Sequence, residues 1–312
     1  MMPFLHRFFS LCAVLLVLAA PTVAQSPPDG HTVEGNLMHP ESVAHDAANG
    51  VFYAANIGED LGPSQKDGDG FVSRLSADGQ VEALRFLPAT DEATLHAPKG
   101  TVVLDGRLYT ADIDRVVGFD LEERTKIAEI SLEDLGVTFL NDITVVDDQT
   151  LVASGSDQGR LYRVDLEAGT ATELDVDIPG ANGVKYAASD GVLYAVTFGG
   201  EQGGQLWTIE LTDDGEVADA SSRTLVEKGR FDGVVLRPNG QVLISDWGVE
   251  GASDPTPALH RVADEGTGSV TTIDLSDWQG PADFDCSTAH GCWIPDLPGS
   301  AVHVVRPAQR MR

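Results

Sequence analysis

At 312 residues and 42% hydrophobic content, the chain can bury a sizeable core in one large domain or two ordinary ones. Its 20 Lys and Arg stand against 49 Asp and Glu, a net charge of −29 that excludes nucleic acid and anionic membrane surfaces as partners. With 33 glycines and 16 prolines the sequence is turn-rich, as all-β chains with many short strands are.

The first 24 residues read as a secretory signal: Arg7 supplies the positive start, LCAVLLVLAA (11–20) the short apolar run, and Pro21-Thr22-Val23-Ala24 the small residues for cleavage. The apolar run is too short for a comfortable membrane span, and Cys12 lies inside it rather than at its end. Residues 25–312 then read as one domain destined for a secreted or periplasmic setting. Two cysteines remain there, Cys286 and Cys292, and their spacing predicts a disulfide stapling adjacent strands across a hairpin turn.

From this point the chain repeats. First runs begin at PESVAHD (40–46), PKGTVVL (98–104), LNDITVV (140–146), ANGVKYA (181–187), FDGVVLR (231–237) and PADFDCS (281–287), about 40–60 residues apart. A turn follows each, among them the hairpin signals Asn49-Gly50, Asp105-Gly106 and Asn239-Gly240. Counting on from the turns, second runs end at Asn56, Asp112, Ser154, Thr197, Asp246 and Asp296. Third runs follow in all six units and fourth runs in five; the sixth lacks one, and TVEGNLM (32–38) near the start is available to supply it. The pattern predicts an all-β fold, a six-bladed β-propeller closed by an N-terminal strand. Insertions at 59–69, 199–204 and 248–257 all follow a second strand and so share one face of the disc, where loops carry function.

First strands of a propeller lie innermost and run in one direction, so the residues at their starts form a ring. That ring reads Glu41, Lys99, Asn141, Asn182, Asp232 and, in the sixth unit, Asp283. Glu41, Asn141, Asn182 and Asp232 offer two carboxylates and two amide carbonyls, hard oxygen donors that suit Ca²⁺ or another divalent cation. A His/Cys set for zinc or copper is missing from it. The competing interpretation makes Asn182-Gly183 and Asp232-Gly233 simple turn dipeptides. Each unit already has its own hairpin turn further on, which leaves these pairs free for another role.

Glu in PES, Asn in LND, Asn in ANG and Asp in FDG, one per blade, resemble the senescence marker protein/gluconolactonase/luciferin-regenerating enzyme family, and more distantly the paraoxonases and squid-type diisopropylfluorophosphatase. The resemblance spans residues 31–307. It implies a propeller that binds a catalytic divalent cation, typically Ca²⁺, through Glu41, Asn141, Asn182 and Asp232, and that hydrolyses lactones or related esters. Asp232 or Asp283 would orient or deprotonate the attacking water. Paraoxonases carry a histidine in the second-blade motif where this chain has Lys99, so a histidine base is not carried over. Lys99 could stabilise an oxyanion or hold a substrate carboxylate, or simply line the channel paired with Asp283 or Asp112.

Other candidates rank lower. His39, His45 and His96 lie near inner-strand starts and are expected to be structural or exposed. Lys66-Asp67-Gly68-Asp69-Gly70 lacks the distal Glu of a calcium loop and reads as a turn. There is no GxSxG elbow, P-loop or Rossmann fingerprint. A quinone-dependent sugar dehydrogenase is disfavoured because the ring has no basic cluster for the cofactor's carboxylates. The alternative to a hydrolase is a non-catalytic propeller that binds or scaffolds, with a structural Ca²⁺. The expected partner is a small-molecule substrate acted on by a monomer, without nucleic acid or membrane.

Overall fold

The computed structural model of the chain describes residues 30–199, 203–212, 214–253 and 256–305. The expected signal segment, and the centres of the insertions at 199–204 and 248–257, lie outside these residues. Among the described residues the strands form six four-stranded antiparallel sheets, the blades of a propeller. The inner strands are Pro40–Asp46, Pro98–Leu104, Leu140–Val145, Ala181–Ala187, Phe231–Leu236 and the short Asp285–Ser287. Their partners are Val51–Asn56, Arg107–Asp112, Thr150–Gly155, Val192–Thr197, Val242–Asp246 and Gly291–Asp296. In the sixth sheet His31–Thr32 pairs with Ala301–Val305 as the outermost strand. That strand is far shorter than the predicted run 32–38; its last bond to the neighbouring strand runs from the Val33 N–H to the Val302 carbonyl, and Glu34 bridges to Gln80 in the first blade instead.

The hydrophobic core is divided into clusters between neighbouring blades, because each sheet presents one apolar face to the next. Tyr109, Val116 and Ile130 of the second blade pack against Ile143, Leu151 and Tyr162 of the third, all buried. Cys286 and Cys292 face each other across the sixth hairpin and are bonded, as the sequence predicts. Among the described residues, no helix is long and apolar enough to cross a membrane.

The inner strands share an irregularity. Pairing with the second strand slips just after Pro40, Pro98, Leu140, Ala181 and Phe231, each time at the ring position. Such bulges re-aim side chains and recur beside functional sites. Asn182-Gly183 and Asp232-Gly233 are therefore strand residues rather than turns. Their glycines answer to crowding: a Cβ on Gly183 would stand 2.2 Å from the Asp232 carbonyl oxygen, and one on Gly233 would stand 2.7 Å from Asp283 Oδ1.

The register corrects two sequence assignments. Pro281 pairs with Asp296 as Pro40 pairs with Asn56, so Ala282 occupies the sixth ring position and Asp283 lies one residue deeper. Leu140 pairs with Gly155, which places Ser154 one residue earlier than the other second-strand ends. The third turn, residues 146–149, ends on Gln149 rather than Asp148, so a count made from Asp148 falls one residue short of Gly155.

Replacing Gly183 by Ala should cost about 1–3 kcal/mol, the usual penalty for overpacking. Thermal unfolding of the variant would then show a midpoint lowered by several degrees, and an unchanged midpoint would refute the close approach of the two strands.

Candidate functional site

Inner strands of adjacent blades are latched to one another at the ring. Ser42 Oγ donates to the Lys99 carbonyl (2.7 Å), Ser154 Oγ to the Asn182 carbonyl, and Ser245 Oγ to the Ala282 carbonyl (2.9 Å). The Asp283 N–H donates to the Glu41 carbonyl at 3.0 Å. Asp142 accepts from the Val184 N–H at 2.7 Å. Backbone groups here are thus satisfied by neighbouring blades, which frees the ring side chains to face the channel.

Glu41, Lys99, Asn141, Asp142, Asn182, Asp232 and Asp283 are all at most 7% exposed. Four oxygens within this set are buried with no hydrogen-bond partner: Glu41 Oε2, Asn141 Oδ1, Asn182 Oδ1 and Asp232 Oδ1. They come one from each of four blades and coincide with the predicted ligand set. Buried polar atoms are nearly always paired, so four orphans in one ring call for an explanation. Oxygen acceptors with two formal negative charges fit a divalent cation such as Ca²⁺. Among the described residues, three or more His, Cys, Asp or Glu side chains are nowhere gathered into a metal-binding group. That fact does not bear against this set, because half of its donors are amides.

Electrostatics point the same way. Burial and the nearby Asp232 hold the Glu41 carboxyl well above its usual range, against the pull of Lys99. Burial pushes Asp232 up to about 7, despite the hydrogen bond from Trp247, and pushes Asp142 up to about 6. Asp283 is raised by burial and by Asp142, Glu41 and Asp232 together. Four carboxyl groups therefore compete for too little positive charge. Lys99 is itself lowered by burial; its ammonium donates to the Ala97 carbonyl (3.2 Å) and lies 4.6 Å from the Phe139 ring centre. The expected direct pairing of Lys99 with Asp283 or Asp112 gives way to these contacts. Asp112 instead bonds Arg115 at 2.8 Å and the N–H groups of His96 and Ala97.

Asp112 illustrates what the second-strand ends do. Asn56 accepts from the Met38 N–H, Asp246 from Arg230 N–H and Gly248 N–H, and Asp296 from Gln279 N–H and Gly280 N–H. Thr197 binds both Gly203 and Gln205. Four of these side chains pin the segment that enters their own blade, so they hold the ring's supports rather than a ligand. The histidines are placed similarly. His39 bonds the Gly58 carbonyl, His45 stacks on Phe52 at 4.5 Å, and the His96 backbone is held by Asp112. Below the ring, a cavity of about 160 Å³ continues down the channel between Asp142, Asp283, Lys185 and His45.

Two residues escaped sequence reasoning. Asp142 and Asp283 act on each other's protonation, and the only signal for Asp142 was its place beside Asn141. The Trp247 indole N–H donates to Asp232 Oδ2 at 2.8 Å, leaving Oδ1 free toward the ring. Trp247 is set edge-on to Phe198 and packs with Ile57, Ala97, Ile113, Ala282 and Leu297 in an apolar collar at the channel mouth.

Trp247→Phe should weaken cation binding about 10–100-fold, as loss of an outer partner does at metal sites; calorimetric titration with Ca²⁺ would measure it. pH gives a second check. Between the unfolded carboxyl's value and about 7, the folded chain keeps a proton on Asp232 that the unfolded chain has released. Cation-free stability should therefore fall as pH rises through this window. Added Ca²⁺ should raise the melting midpoint more at pH 8 than at pH 5, and an equal rise at both would contradict the assignment.

No protein family and no curated protein matches the sequence. Solved structures do match the fold. Hydrazine synthase of Kuenenia stuttgartiensis superposes with a TM-score of 0.60 at 14% identity, over 85% of this chain and 75% of that one. A catalytically inactive virginiamycin B lyase from Staphylococcus aureus, solved with quinupristin, gives 0.57 at 14% identity over 88% and 97%. A streptogramin B lyase gives 0.57 at 13% identity over 88% and 96%. At such identities the likeness shows the propeller fold, and the resemblance to the senescence marker protein/gluconolactonase family is carried by the ring residues alone.

Proposed function

We propose that this chain is an exported hydrolase of lactones or related esters that depends on a divalent cation, with Glu41, Asn141, Asn182 and Asp232 as its ligands. The observation that carries it is the set of four buried, partnerless oxygens contributed by four blades. The Cys286–Cys292 disulfide supports an oxidising compartment.

A bound cation of this kind supplies Lewis-acid polarisation of a carbonyl. The protein's own groups would do the rest. The Lys99 ammonium has donor capacity beyond its bond to Ala97 and can stabilise an oxyanion or hold a substrate carboxylate. Asp232, oriented by Trp247, can hold the attacking water and accept its proton, with Asp283 one residue deeper as the alternative acceptor. The apolar collar around the mouth limits competing water.

Metal-stripped protein assayed on a panel of lactones and aryl esters, with and without Ca²⁺, tests the proposal. Turnover restored by Ca²⁺ is expected. Tight cation binding with no turnover on the whole panel would instead favour a scaffold with a structural ion. Asp232→Ala should abolish both binding and turnover, exceeding the roughly 10–100-fold loss typical of outer-shell changes. Full activity in that variant would refute the ligand assignment.

A further inference from the structure

A groove of about 760 Å³ runs across the face that carries the ring, between the second and third blades. Its volume is in the range of small-molecule sites, which are mostly apolar with a few placed polar groups. Ile113, Val137 and Phe139 contribute its apolar walls, and the ion-paired Lys66 and Asp114 stand at its edge.

Two independent features join this groove to the ring. The first is Phe139, which lines the groove while its ring covers the Lys99 ammonium. The second is Ile113, which belongs both to the groove wall and to the collar around the channel mouth. Ile113 has φ +61°, a left-handed conformation that a β-branched residue rarely adopts. Strain of this kind persists where surroundings over-determine it, and it clusters at functional sites. The Ile113 carbonyl also accepts from the Leu140 N–H (2.6 Å), one residue before Asn141. One strained residue thus walls the groove and anchors the strand that presents a ring oxygen.

We propose that the groove is the subsite for an apolar arm, alkyl or aryl, of the substrate whose polar reacting group sits at the ring; this rests on the hydrolase proposed above. Phe139 and Ile113 are its selectivity-determining residues. The remaining groove residues include Ser64 and Lys66 of the 59–69 insertion, so that loop would shape the far end of the arm's path.

The test is a homologous series of γ-lactones, from butyrolactone to dodecalactone, assayed with Ca²⁺ on the full protein. For the wild type, kcat/KM should rise about two- to fourfold per added methylene until the groove is filled. Phe139→Ala, and separately Ile113→Asn, chosen because Asn tolerates the left-handed region, should flatten that dependence. The slope is the readout, so a uniform loss of activity in either variant does not imitate the result. A flat series in the wild type, or an unaltered slope in both variants, would overturn the subsite. If none of the series is hydrolysed, the hydrolase proposal fails, and calorimetric titration with the same lactones reads the groove alone. Affinity that climbs with chain length and loses this trend in the variants supports the subsite. Affinity independent of length overturns it.

Discussion

Six inner strands crowd a single narrow channel, and the rest of the molecule follows from how they tolerate that crowding. Serine hydroxyls and the Asp142 carboxylate tie each strand to its neighbour through backbone groups. Glycine at positions 183 and 233 lets the chains approach within contact. With the backbone satisfied sideways, four ring side chains are each left with an oxygen that nothing reaches. Glu41, Asn141, Asn182 and Asp232 therefore face one another with unfilled oxygens in a region too buried for water to compensate cheaply. The site is thus a by-product of tight packing as much as of the residues chosen for it.

Much of this was legible in the sequence, for definable reasons. Hairpin signals such as Asn49-Gly50 and Asn239-Gly240 depend on local backbone geometry, so counting them yielded the blades. The four positions with partnerless oxygens emerged because ring residues sit at a fixed place in a repeated unit. The misplacements arose where the chain departs from a constant count. Ser154 was shifted because the third turn ends on Gln149 rather than Asp148, and Asp283 by a sixth inner strand reduced to Asp285–Ser287. The bulges could not be foreseen, since they are visible only as slipped pairing between strands. Trp247 was hidden for another reason: its hydrogen bond to Asp232 joins the end of one strand to the start of its partner across a turn of the fold, and nothing in its local sequence marks it.

The polar residues at the second-strand ends show that position in a ring does not decide a residue's work. Asp112, Asp246 and Asp296 lie beside the ring, yet their carboxylates are consumed by N–H groups of incoming segments or by Arg115 and His260. Glu41 and Asp232 have no comparable supply and are left with raised proton affinity. Two carboxylate populations, which meet in the fifth blade as Asp232 and Asp246, are separated by whether backbone donors reach them.

The slipped pairing at each inner-strand start has a consequence for how such a molecule can change. Because the bulge takes the ring residue out of the ladder, its side chain is relieved of any duty in strand pairing. The same backbone place holds a carboxylate at Glu41, an ammonium at Lys99, amides at Asn141 and Asn182, and, through the equivalent pairing of Pro281, a bare methyl at Ala282. The propeller behaves like a socket board: six plugs of differing charge can be exchanged one at a time, and the board is rewired without being rebuilt.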